Sequence, residues 1–222
     1  MKRSAINRYL TEAAAFFAAN HFSLPPFAAW PPEAWRKLGC KAIELRTQRL
    51  GWDITDFNTG NFKACGLTLF TLRNGRSSQP QSAKPYAEKI MYVRDHQLTP
   101  FHYHAIKTED IINRGHTATG RLVVQLYTSA DRRFADAPVV VTCDGITKQI
   151  DPGGTVTLAP GESITLPPFL YHAFHATDGD ALIGEVSSTN DDDTDNYFYE
   201  PIERYPAIEE DEPPLHLLCT EY

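Results

Sequence analysis

Three histidines and one glutamate stand at spacings that suit a single metal ion. His102 and His104 flank Tyr103, Glu109 follows a few residues later, and His172 closes the run Pro167-Pro168-Phe169-Leu170-Tyr171-His172. If Phe101 to Ala105 runs as a strand, side-chain alternation puts His102 and His104 on the same face. A turn can then return the Glu109 carboxylate to that point, and a later strand can bring in His172. Three neutral imidazoles with one carboxylate suit Mn, Fe, Co, Ni or Zn better than Mg or Ca. Four protein ligands would leave two positions of an octahedral ion for adjacent oxygens of a substrate. Taken alone, an HxH pair on a strand also describes two ordinary histidines, one of them buried and hydrogen-bonded. His21, His96, His116, His175 and His216 read as surface or structural residues. His175 is out of phase with His172 and should face away from it.

The elements that must hold these residues can be read from periodicity and turn chemistry. Ser4 is placed to cap a helix over about Ala5 to Asn20, with Ile6, Leu10, Ala13, Ala14 and Phe17 on its apolar face. Pro25-Pro26 breaks it, and Pro31-Pro32-Glu33 suits the start of a second, short helix. From Cys65 the pattern becomes β. Strand candidates are Gly66–Leu72, Lys89–Arg94, Pro100–His104, Leu122–Tyr127, Val139–Cys143, Thr155–Leu158, Ser163–Leu166, Tyr171–Ala176 and Leu182–Val186. Asn74-Gly75, Asp144-Gly145, Pro152-Gly153-Gly154 and Pro160-Gly161 punctuate them. Many short strands with regular turns imply a β-sandwich or small barrel. The chain therefore reads as one domain: a helical arm over 1–60, a barrel over 61–190 and a C-terminal segment, 191–222, packed on the barrel.

Composition narrows the function. A 222-residue chain can bury a sizeable core without disulfides. A formal net charge of −7 argues against nucleic acid as a partner, which needs a basic face. No run of about 18 apolar residues is present, so no membrane span is expected. The N-terminus lacks the apolar core of a signal peptide. Cys40, Cys65, Cys143 and Cys219 form no CxxC pair and read as reduced thiols of a cytoplasmic protein.

Both halves of the metal constellation resemble the two motifs of the cupin superfamily. His102, His104 and Glu109 fit the first; Gly161, Pro167 and His172 fit the second, with Phe169 where the pattern has glycine. The resemblance then extends along nearly the whole chain to bacterial D-lyxose isomerases. Leu24-Pro25-Pro26-Phe27, Gly51-Trp52-Asp53-Ile54-Thr55-Asp56-Phe57, Lys84 to Lys89, Glu109 to Gly115 and Gly184-Glu185-Val186-Ser187 are similar to stretches of that family. So are Asn190-Asp191-Asp192, Glu209 to Pro214 and Leu217-Leu218-Cys219. The resemblance implies a mainly β cupin jelly roll with an N-terminal helical arm, forming a homodimer. It also implies interconversion of D-lyxose and D-xylulose, and often of D-mannose and D-fructose. One divalent ion would be held by His102, His104, Glu109 and His172, manganese by family habit, with Zn, Co or Fe also suitable.

Such an isomerisation moves a proton between C1 and C2 and between their oxygens. A divalent ion on those oxygens would polarise the carbonyl and hold a cis-enediolate. Because Glu109 would be committed to the ion, a second carboxylate must carry the proton. The resemblance points to Glu203, in the apolar-aromatic stretch Pro201-Ile202-Glu203-Arg204-Tyr205; Glu185 and Asp192 are the alternatives. Lys107 and Lys89 are candidates to stabilise the enediolate or bind hydroxyls, with Arg204, Asp192 and Glu185 in the substrate shell. Either lysine, like Glu203, could equally be an exposed charge. The aspartates of 190–196 read mainly as a solvated loop, one or two of them free to bind diols. Trp30, Trp52, Phe101, Tyr103 and Phe174 are candidate pocket aromatics. Competing readings are a cupin dioxygenase, whose Fe(II) the same ligands would hold, and a non-catalytic sugar-binding cupin. A phosphorylated substrate is disfavoured by the absence of an arginine cluster or phosphate-cradling loop.

Overall fold

The computed structural model describes residues 1–75 and 84–222. The chain opens with α1 (Arg3–Ala19), whose Ile6, Leu10, Ala13 and Phe17 form one wholly buried stripe. A 3-10 turn at Pro26–Ala29, α2 (Pro32–Leu38), a second 3-10 turn at Gly39–Ala42 and α3 (Ile43–Thr47) follow. Proline starts α2 where a missing N–H costs nothing, and Gly39, at φ +50°, ends it. Ser4 does not cap α1. Lys2 occupies that position without a side-chain bond, and Ser4 donates its amide and hydroxyl to the Asp211 carboxylate, at 2.9 and 2.6 Å. The first-turn amides are satisfied from the far end of the chain, by a partner that local sequence does not reveal.

The β elements run β1 (Gly51–Thr55), β2 (Leu67–Arg73), β3 (Tyr86–Val93), β4 (Thr99–Tyr103), β5 (Glu109–Asn113), β6 (Arg121–Ala130) and β7 (Arg133–Ala135). They continue as β8 (Val139–Cys143), β9 (Ile146–Ile150), β10 (Thr155–Leu158), β11 (Ser163–Leu166), β12 (Leu170–Thr177), β13 (Ala181–Ser188) and β14 (Tyr197–Phe198). Two antiparallel sheets result. The larger has the order β1-β2-β3-β13-β5-β11-β8-β9; the smaller runs β10-β6-β12-β4-β14, with β7 paired to β6.

All nine expected strands are present, and the mainly β architecture is the one predicted. Five further strands were not expected. β1 lies within the stretch assigned to the helical arm and joins the larger sheet instead; it is buried throughout, so it lacks alternation. β9 is exposed at a sheet edge and polar in composition. β5 reads as the turn that returns Glu109. β7 and β14 are too short to show a period.

Apolar residues fill the space between the sheets: Leu69, Met91 and Ile111 from one, Leu126, Val124 and Phe174 from the other. The outer face of the larger sheet is covered by α1. There Ile6, Leu10, Ala13 and Phe17 meet Trp52, Ile54, Phe70, Ile90 and Leu182, and Phe17 stacks on Trp52 at 6.1 Å. Each of the large side chains among these contributes about 2 kcal/mol of transfer free energy. The central strands β2, β3 and β13 are thus clamped on both faces, which fixes the sheet that carries half of the polar site.

Candidate metal centre and active site

The polar site lies between the sheets. On β4, His102 points inward and His104, just beyond the strand end, repeats that direction. His172 on β12 pairs directly with His102 across the sheet. Ligand nitrogens of the three rings lie within 4.8 Å of one another, and all three side chains are buried. Each ring uses Nδ1 on a main-chain carbonyl: His102 on Pro100 at 2.8 Å, His172 on Leu170 at 3.0 Å, and His104 on Asp195. Donation at Nδ1 leaves a neutral ring with a lone pair at Nε2. The His172 Nε2 is buried without a hydrogen-bond partner, although Glu109 Oε1 stands 3.0 Å away. A lone pair facing a carboxylate oxygen in the interior is unfavourable until a cation lies between them. The donor set therefore fits a divalent metal.

Electrostatics agree with neutral ligands. Burial, reinforced by the other two rings, holds His102 well below the ordinary histidine range. Burial and the Lys107 ammonium push His104 down to about 4. Glu109 faces them from β5, in the opposite sheet, with Oε2 at 3.7 Å from His104 Nε2. Burial works against its charge, but Lys107 and His104 outweigh that and hold its carboxyl well below the usual range.

Around this centre lies a buried network of charges. Lys107 Nζ stands 2.6 Å from Glu109 Oε2 and 3.0 Å from Glu185 Oε1, and also donates to Asn190 Oδ1 at 3.2 Å. Lys89 sits opposite Glu185 in the β3–β13 register, 3.1 Å from its carboxylate and 2.8 Å from Asn190 Oδ1. Burial penalises both members of the central pair. The two carboxylates nonetheless raise Lys107, and Lys107 with Lys89 lowers Glu185. Arg204 donates to Asp53 and reaches Asp192 at 3.5 Å, while its Nη1 is buried and unpartnered. Asp192 is held low despite burial, by Lys89 first and Arg204 next.

The inner cavity has a volume of about 40 Å³ and is lined by His102, His104, Lys107, Glu109, Lys89, Glu185, Asp192 and Arg204, among others. A wider polar hollow of about 300 Å³ adjoins it and shares Asp192.

The structure thus brings together His102, His104, Glu109, His172, Lys89, Lys107, Glu185, Asp192 and Arg204. Neither lysine is an exposed charge. Glu203 is not in the cavity. It is exposed and accepts a bond from Asn58 Nδ2 at 3.2 Å, so the expected apolar-aromatic surroundings are not what it meets. Its chain neighbour Arg204 lines the cavity, as does Phe57, the neighbour of Asn58.

Of the candidate aromatics only Phe174 lines the cavity. Phe101 and Tyr103 alternate with the histidines and face outward, Trp52 packs under α1, and Trp30 packs on Phe27 and Trp35. His175 points away from the cluster, as its phase requires. Asn196 and Phe198, which line the cavity, and Asn190, which lines the wider hollow, were missed. Only the density of Asx residues over 190–196 hinted at them, and composition cannot separate a solvated loop from a buried one. Phe169, at the glycine position of the second motif, adopts φ +62° and keeps the turn; its N–H bonds to His104 O at 2.8 Å.

Two curled antiparallel sheets closed around a buried three-histidine cluster define a cupin jelly roll. The chain belongs to the D-lyxose isomerase family, whose sequence profile matches residues 1–222, and it is accordingly a sugar isomerase. It is 50% identical to a D-lyxose/D-mannose isomerase of Escherichia coli O157:H7, covering 100% of this chain and 98% of that one. A D-lyxose/D-mannose isomerase of Serratia proteamaculans is 48% identical, again over 100% and 98%. Among solved structures the fold is shared with the L-ribose isomerase of Acinetobacter sp. DL28 in complex with L-ribose. The TM-score is 0.61 at 14% identity, over 93% of this chain and 98% of that one. The unliganded L-ribose isomerase of Cellulomonas parahominis gives 0.58 at 16% identity, over 94% and 98%.

Proposed function

We propose that this protein is a metal-dependent aldose–ketose isomerase converting D-lyxose to D-xylulose, with D-mannose and D-fructose as a second pair. The substrate reading rests on family membership and on the names of the relatives. The metal reading rests on one observation: three Nδ1-anchored imidazoles whose Nε2 atoms converge in the interior, one of them unpartnered and facing a carboxylate. His102, His104, His172 and Glu109 would hold the ion, with manganese the first choice and Zn, Co or Fe compatible with the donors. When bound, the ion would supply Lewis-acid polarisation of the sugar carbonyl.

The rest of the reaction falls to side chains. Lys107, held between Glu109, Glu185 and Asn190, would donate to the oxygen that gains charge in the cis-enediolate by giving up one of these acceptors. Lys89, Glu185, Asp192 and Arg204 offer donors and acceptors to the remaining hydroxyls. The proton carrier needs a pKa near working pH. Glu185 and Asp192 are held low by adjacent cations, which makes them weak bases. Glu203 is our choice for that role on the family resemblance. Asn196, Phe198 and Arg204 line one side of the inner cavity, and Glu203 adjoins Arg204 in the chain.

Metal-depleted protein reconstituted with Mn²⁺ should form ketose from D-lyxose, and chelation should abolish it. No ketose from D-lyxose or D-mannose would overturn the proposal. Glu203→Gln should keep its metal and lose at least about 100-fold in kcat. If Glu203→Gln retains turnover and Glu185→Gln does not, the base is Glu185.

A further inference from the structure

Asp195 belongs to none of the roles so far described, yet its environment is unusual. The side chain is 3% exposed, and among the described residues no cation pairs with it. Its carboxylate is spent on three consecutive main-chain amides of the turn after β4. Oδ1 accepts from Ala105 at 2.7 Å and from Ile106 at 3.0 Å; Oδ2 accepts from Ile106 at 3.2 Å and Lys107 at 2.9 Å. Its own carbonyl takes the Nδ1 proton of His104. One residue therefore holds both ends of a stretch that begins with an inward-facing imidazole and ends with an inward-facing ammonium.

The segment around Asp195 is itself anchored. Its N–H bonds to Asp191 O at 3.0 Å, and the Asp191 carboxylate takes the amides of Asp193 and Thr194 at 3.1 and 3.2 Å. Upstream, Asn190 accepts from Lys89 and Lys107 and donates its N–H to Asn74 Oδ1 at 2.9 Å. The loop thus grips Lys107 twice, at its ammonium through Asn190 and at its main-chain amide through Asp195.

We infer that Asp195 is a positioning residue, which fixes the 105–107 turn so that the His104 ring and the Lys107 ammonium reach the cavity together. This rests on the proposed metal and Lys107 roles. The chemistry explains the choice of residue. A charged carboxylate accepts several N–H bonds at once and stabilises a turn whose amides have no strand partner. Asparagine keeps one acceptor oxygen but presents an NH₂ to a donor, so it should loosen one end of the turn and spare the other. Alanine releases all three amides and keeps only the main-chain carbonyl that accepts from His104.

The test uses the full-length chain, Asp195→Asn and Asp195→Ala, with three readouts. Hydrogen exchange should show that the amides of 105–107 lose protection in Asp195→Ala while α1 keeps its own. Mn²⁺ titration of the metal-free proteins should show affinity about 10-fold or more weaker for Asp195→Ala, and within about 3-fold of the parent for Asp195→Asn. With saturating Mn²⁺, Asp195→Asn should lose about 10-fold or more in kcat, with a smaller change in KM. Unchanged Mn²⁺ affinity in Asp195→Ala, or unchanged kcat in Asp195→Asn, would overturn the inference, as would losses that merely follow the folded fraction. If the parent turns over no sugar, the proposed function fails, and the exchange and Mn²⁺ arms still judge the clamp.

Discussion

At the scale of single residues, the site is built from groups whose charge states depend on burial. His104 illustrates the sign. Its pKa falls from 6.5 to about 4 because burial and Lys107 disfavour the imidazolium. The unfolded chain therefore binds the extra proton first, and the folded state loses stability as pH drops from above 6.5 towards 4. Metal-free protein should show a falling Tm across that window, and His104→Asn should flatten the slope. Removing a ligand outright has a different signature: His172→Ala should abolish tight Mn²⁺ binding in titration calorimetry. Lys107→Met should unbalance the network, because Glu109 and Glu185 then face each other in the interior without their shared cation. We expect kcat to fall by at least about 100-fold and Tm to drop, both measurable on purified protein. The convergence of the three histidines was legible in sequence because a candidate metal site is a spacing problem, and HxH with a distant histidine states the spacing. Asp195 was not legible, because its partners are main-chain amides, which leave no trace in composition.

At the scale of elements, strand alternation put His102 and His104 on one face, but the same alternation turns Phe101 and Tyr103, which read as pocket candidates, the other way. What it could not reveal was β5. Its burial alternates, but its sequence, Glu-Asp-Ile-Ile-Asn, does not look half-buried until Glu109 is seen to be interior. β1 and β9 were lost for opposite reasons, one buried on both faces and the other exposed. The turn into β12 makes a sharper point. Phe169 holds φ +62° with its side chain 53% exposed, so it bears left-handed strain and gains little from packing beyond Tyr103 at 5.8 Å. Phe169→Gly should relieve about 1 kcal/mol of strain, partly offset by the entropy of a freer unfolded chain. Denaturant unfolding should show equal or greater stability, whereas Phe169→Val should be clearly destabilised.

At the scale of the whole molecule, the N-terminal helix is tied to the end of the chain rather than to its sequence neighbours. Arg3 is 1% exposed and binds both Glu210, at 2.6 Å, and Glu221. Asn7 donates to Glu212 at 2.6 Å, and the Leu215 amide donates to Asn7 at 2.9 Å. Arg3→Ala should cost about 2 kcal/mol in chemical denaturation, since hydrogen bonds to charged groups are lost on both sides. It should leave Mn²⁺ affinity unchanged, because the helix covers the sheet face opposite the histidines. No periodicity could have exposed this clip, which joins residues about as far apart in sequence as the chain allows. It also imposes an order of events during synthesis. The clip on α1 cannot close until residues 209–221 have been made, so until then the helix is held to the sheet by its apolar stripe alone.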